Sequence, residues 1–228
     1  MHQHPSEPPL NPLPPAVTAL ALTIFGIEVV LSAAARGLVG GQLGIGWRQS
    51  AVERYAFFGE VFDQMIERGV WPLLHVARFV TYPFVHWGFT HMLFAVVFLL
   101  ALGKMVAEAF GSVAFFGIFF GSAVAGALVY GFALNDPAPL AGGFPAVYGL
   151  IGAFTFLLWT NLGRVGANQY RAFSLIGFLL GIQLVFGLLF GATNDWVADL
   201  AGFVAGFALS FVVSPGGWSR VMEKLRRR

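Results

Sequence analysis

Six long apolar runs constrain this chain more than any other feature. They cover roughly 16–35, 84–103, 112–133, 145–162, 172–191 and 196–213, with short connections everywhere except after the first. A helix needs about 20 mainly apolar residues to cross the hydrocarbon core of a bilayer. The pattern therefore predicts an all-α polytopic membrane protein with six transmembrane helices, organised as one domain. The composition agrees: 11% of the residues are charged, against about 25% in soluble domains. With 29 glycines, the chain has the small residues that let membrane helices approach closely. It has no cysteine, which excludes disulfides, thiol nucleophiles and cysteine metal sites.

The connections are informative. Leu102 to Gly111, carrying Lys104 and Glu108, reads as a polar turn between the second and third spans. Asn161 to Arg171, with Gly163, Arg164 and Gly166, reads as the turn between the fourth and fifth. Residues 36–83 are long and amphipathic: Trp47, Phe57, Phe58, Phe62 and Trp71 alternate with Arg48, Arg54, Glu60, Asp63, Glu67 and Arg68. Aromatic rings mixed with charge suit the membrane–water interface; the alternative is a small water-soluble loop domain.

Residues 1–15 are proline-rich without Lys or Arg. This predicts a disordered tail and, lacking a basic signal-peptide start, a retained first span. Six spans place Lys104, Arg164, Arg171 and the tail residues Arg220, Lys224, Arg226, Arg227 and Arg228 on one side. The excess of basic residues in short loops predicts that both termini are cytoplasmic, with 214–228 a basic cytoplasmic tail.

Arg78 to Ala95, containing His86, Gly88 and His91, resembles the rhomboid stretch ending H-x-G-x-x-H-L-x-x-N. Gly142 to Ala153 (GGFPAVYGLIGA) resembles the rhomboid helix start G-x-S-G-A-x-Y-G-L-x-G-A. Ala198 to Gly206 (ADLAGFVAG) resembles A-H-L-G-G-F-x-A-G. The motifs fall in the family's order, on the second, fourth and sixth spans. The resemblance to the rhomboid intramembrane serine proteases covers residues from about 16 to 213. It implies a six-helix bundle in which a Ser at the start of the fourth span attacks a peptide bond. A His on the sixth span serves as its base, and a His and an Asn on the second help hold the oxyanion.

On that resemblance, the Ser position is Phe144, the base position Asp199 and the Asn position Ala95, while His91 is retained. Arg78, His86, Gly88, Tyr148, Gly149, Gly152, Gly202 and Gly206 match the framework, and Ala107 stands where the family carries a glutamate, with Glu108 next. The implied protein is a rhomboid pseudoprotease in the bacterial inner (plasma) membrane. It binds transmembrane client proteins or lipids without cutting them, in membrane-protein regulation or quality control, as inactive relatives such as the derlins do. Residual hydrolysis through a water held by Asp199 and His91 is one alternative. A transport or lipid-handling role, suggested by Glu28 and Asp199 inside apolar helices, is another.

The residues themselves allow further expectations. Phe144, Tyr148 and Gly152 recur at four-residue steps and share a helix face, so Phe144 reads as a plug or an ordinary core aromatic. Asp199, Gly202 and Gly206 put an acid on a close-packing face, where an intramembrane carboxylate needs a partner. His91 is the candidate by the family's geometry, and solvation near Asn194 and Asp195 is the other reading. A metal site from His86, His91 and Asp199 is conceivable. His86 and Arg78 read as anchors between the first loop and the second span, and Glu28 as facing the bundle interior. No cofactor, metal or nucleic-acid partner is expected, since no nucleotide, phosphate or nucleic-acid motif occurs, and the oligomeric state is open.

Overall fold

Hydrocarbon offers no hydrogen bonds, so each apolar run must close its own amides within a helix. The computed structural model describes residues 12–134, 136–190 and 193–214, and is helical throughout its spans. The helices that fall on the six apolar runs are α1 (Pro15–Ala35), α6 (Phe89–Phe110), α7 (Ser112–Ala133), α8 (Phe144–Arg164), α9 (Ser174–Phe190) and α10 (Asp195–Val213). Between α1 and α6 lie the shorter α2 (Gly41–Gly44), α3 (Trp47–Tyr55), α4 (Gly59–Arg68) and α5 (Leu73–Thr81). Five of the described helices are long and apolar enough to cross a membrane, and α9, at 17 residues, is shorter. The proline-rich tail up to Asn11 and the basic tail from Pro215 lie outside the described residues.

Two boundaries differ from the sequence expectation. The second span starts at Phe89 rather than 84, because Tyr82–Phe84 forms a 3-10 turn with Pro83 in it. It ends at Phe110, so the expected polar turn from Leu102 is helix. Lys104 and Glu108 lie one helical turn apart, 3.9 Å from each other, a spacing a helix tolerates well. The break comes at Gly111, whose φ of 86° is open to glycine and costly for other residues.

The first loop is not a single amphipathic stretch but a string of short helices, with Leu38, Leu43, Trp71 and Leu73 exposed. It is tied to the bundle by an isolated antiparallel bridge, Phe57 to Leu140. The Phe57 N–H donates to the Leu140 carbonyl at 3.0 Å and the Leu140 N–H returns to Phe57 at 2.8 Å. Leu140 lies just before α8, so this bridge fixes the loop against the entry to that helix.

At the centre is α8, with α10 and α7 packed on it, while α1 lies on α6. The α8–α10 contact is backbone against backbone. A Cβ on Gly202 would collide with the Pro145 carbonyl, one on Gly206 with Gly149, and one on Gly152 with the Phe203 carbonyl. Small residues on both faces allow this approach, and van der Waals contact holds it together. The Gly202–Gly206 pair thus packs α10 inside the bundle. By contrast, α9 packs chiefly on the 3-10 turn Gln169–Phe173 that leads into it. Ile176 is buried on its inward stripe, whereas Phe178, Leu184, Leu188 and Leu189 face outward.

Candidate functional site

The entry to α8 is held by backbone contacts from several segments. The Gly142 N–H donates to the Tyr82 carbonyl at 3.0 Å, and the Gly143 N–H donates to His86 Nε2 at 3.2 Å. Gly142 has φ of 105°, and a Cβ there would strike the His91 imidazole. Glycine is therefore required on both counts. Past this turn the chain enters α8 with Phe144 and Pro145; proline suits a first helical turn because its missing N–H would have no helical partner.

Phe144 is half-buried and lies over His91, with ring centroids 4.9 Å apart and planes at 33°. His91 also faces His86, with centroids 5.4 Å apart, and its Nδ1 is buried without a hydrogen-bond partner. Ala95, one turn further along α6, is buried. A Cβ on Gly143 would lie 3.9 Å from the Ala95 methyl. Residues expected at the site from the second and fourth spans are therefore brought together.

His86 is fully buried. Desolvation, reinforced by the neighbouring His91, pushes it down to about 3. It is thus neutral at ordinary pH, with Nε2 free to accept the Gly143 N–H. The His86 carbonyl accepts Arg48 Nη1 at 2.6 Å. Arg48 also meets Glu28 through Nη2–Oε1 at 2.7 Å and Nη1–Oε2 at 3.0 Å, and reaches Ser32 Oγ at 3.2 Å. Glu28 thus faces the bundle interior, and its partner is a residue of the first loop. This network runs from α1 through α3 to His86 and on to the head of α8.

The expected anchoring roles change accordingly. His86 ties the first loop to the α8 entry rather than to the second span. Arg78 acts within the first loop: its Nη2 donates to the Glu53 carbonyl at 2.8 Å, and its guanidinium lies 5.1 Å from the Phe58 ring centroid.

Asp199 is 2% exposed, so it is not a solvated acid near a helix end. Nor does it hydrogen-bond to His91. Its Oδ2 accepts Gln183 Nε2 from α9 at 2.8 Å, while Oδ1 has no partner. A primary amide reaches the carboxylate across the α9–α10 seam, while His91 is covered by Phe144. Burial raises the Tyr82 phenol well above its ordinary value. Tyr82 donates to the Ala123 carbonyl at 2.9 Å.

Sequence reasoning missed Arg48 and Gln183. The signal for both was indirect, because Glu28 and Asp199 inside apolar helices each demand a partner. Neither partner lies at a helical spacing that would single it out.

Residues 74–216, more than half of the chain, match the family of the Rhomboid domain. The chain belongs to the rhomboid family. A comparison with curated protein sequences gives no match. The rhomboid match runs from α5 through α10 and so includes the head of α8, His86, His91 and Asp199. Rhomboid proteins are intramembrane serine proteases. In this rhomboid, the first turn of α8 presents Phe144, Pro145, Ala146 and Val147, none of which carries a nucleophilic atom.

Proposed function

We propose that this rhomboid-family protein is a pseudoprotease: it binds transmembrane client proteins or lipids and does not hydrolyse them. The Phe144–His91 contact is the observation that carries this reading. A benzyl side chain rests on the imidazole at the point where the rhomboid pattern carries its serine. The base position holds Asp199, already engaged by Gln183, and the Asn position holds Ala95. In soluble serine proteases, loss of the nucleophile or its base costs on the order of 10⁶ in kcat. Acid-type proteolysis relies on two carboxylates sharing a proton, and Asp199 is bonded to an amide instead.

Client capture is supported by what the chain retains. The framework glycines hold α8 and α10 together, so the bundle is kept while the serine, base and Asn positions are replaced. Fold-level analogy supplies the class of partner. The same reading places the protein in a bacterial plasma membrane with both termini cytoplasmic, in membrane-protein regulation or quality control.

The test is activity of the purified protein in detergent and in liposomes, beside an active rhomboid. Neither labelling by a fluorophosphonate nor cleavage of transmembrane substrates is expected. Labelling or cleavage that persists in Phe144→Ala would refute the plug, and labelling mapped to any serine would refute the pseudoprotease reading. In cells, photo-cross-linking is expected to recover single-span proteins.

A further inference from the structure

Asp199 is buried at the α9–α10 seam with one oxygen bonded and one not. Gln183 donates to Oδ2 at 2.8 Å, and Asp199 Oδ1 and Gln183 Oε1 are both buried without partners. Gln183 Oε1 is an acceptor, and so is Asp199 Oδ1 once the carboxyl is ionised, a state that a cationic donor brought to the seam would favour. No Lys or Arg occurs between Arg171 and Arg220, so neither α9 nor α10 carries a cation. The other charge acting on Asp199 is Asp195, one turn toward the head of α10. An acid inside a membrane bundle ordinarily pairs with a cation or lines a pathway. Here a neutral amide occupies that place.

The amide sits on the most loosely packed spanning helix. Gln183 follows Ile176, Leu179 and Leu180 on the inward stripe of α9, with Leu184 and Val185 beside it facing outward. A lipid-side helix approaching the seam therefore meets an apolar surface first and the Asp199–Gln183 pair behind it.

We propose that Asp199 and Gln183 recognise transmembrane helices that carry an arginine or lysine about 6 Å inside the outer end of the span. This depth corresponds to the four residues from Asp195 to Asp199 at about 1.5 Å each. A guanidinium carries five donors and no acceptor, so it can satisfy Asp199 Oδ1 and Gln183 Oε1 together. The inference rests on the client-binding reading above and names the chemistry of the client.

The experiment uses the full chain in phosphatidylcholine vesicles with fluorescent single-span Leu/Ala helices of about 20 residues. Each helix carries one Arg, one Glu or no polar residue at that depth. Energy transfer should report association about tenfold tighter for the Arg helix than for the apolar one, equivalent to about 1.4 kcal/mol, with no gain for Glu. Asp199→Asn should remove the difference. Gln183→Leu, which removes the second acceptor and leaves Asp199, should narrow it without abolishing it. An Arg helix that binds no better than the apolar helix overturns the inference but leaves client binding intact. A preference that survives Asp199→Asn also overturns it. If no helix associates, and cross-linking in cells recovers no membrane protein, the client reading falls with it. A preference that vanishes when phosphatidylethanolamine replaces phosphatidylcholine assigns the carboxylate to a lipid amine and overturns the proposal.

Discussion

Arg48 tests whether the head of α8 is held in place from the first loop. Its guanidinium makes two bonds to Glu28, one to Ser32 Oγ and one to the His86 carbonyl. Glu28 is 1% exposed and Arg48 19%. Removing one partner of a buried pair costs about 3–5 kcal/mol, because the other charge is left unpaired. Arg48 is partly accessible, so water can enter the gap, which points to the lower end, about 3 kcal/mol, for Arg48→Ala. The double variant Glu28→Leu with Arg48→Met should recover much of that loss, since well-packed apolar pairs often replace buried ion pairs at little cost. The assay is equilibrium unfolding in mixed micelles for the wild type, each single variant and the double variant. An Arg48→Ala cost below about 1 kcal/mol, the range of exposed pairs, would refute the reasoning. So would a double variant no more stable than Arg48→Ala.

The remaining predictions concern His86, Phe144 and Gly202. His86 sits far below the ordinary histidine value, at about 3 in the fold. Its contribution to stability is complete above about pH 6.5 and is lost as pH falls toward 3, because protonation favours the unfolded chain. At about 1.4 kcal/mol per pH unit, the loss has a ceiling on the order of 5 kcal/mol. The melting temperature should fall across that window in the wild type and fall less steeply in His86→Gln; parallel profiles would contradict this assignment. Phe144→Ser restores a hydroxyl but no base, so fluorophosphonate labelling should stay at background. Rapid labelling would mean that another group activates it. Gly202→Val puts a side chain against the Pro145 carbonyl and should destabilise by at least about 1–3 kcal/mol, the usual range for overpacking; unchanged unfolding would show that α10 can shift away from α8.

The spans were legible in the sequence because a bilayer imposes a length of apolar chain that no other solvent demands. The boundary of the second span was misread because Lys104 and Glu108 resemble turn residues in composition, yet they sit at helical spacing, with the break at Gly111. Phe144, His91 and Ala95 converge because α6 and α8 are set by ordered motifs in the chain. Gln183 was not legible: one amide in the apolar α9 has no periodic signature, and its reach to Asp199 depends on how α9 leans. Arg48 was hidden in the same way among the charges of the first loop. Sequence patterns report which face of a helix is apolar, whereas a lone polar bond across a seam depends on tertiary placement.

The order of packing bears on how the chain is made. α10 is the last of these spans to leave the ribosome, yet it packs on α8 and α7 and passes over α9, its neighbour in sequence. Until it arrives, Gly149 has Ser122 of α7 beside it, but Gly149 and Gly152 lack the backbone contacts that α10 supplies. The nascent bundle must therefore wait in the membrane with its central groove open, and the α8–α10 contact closes only after α10 has been inserted. A ribosome that stops before residue 195 would leave five inserted helices around an unfilled groove, a species that cellular surveillance should remove rather than retain.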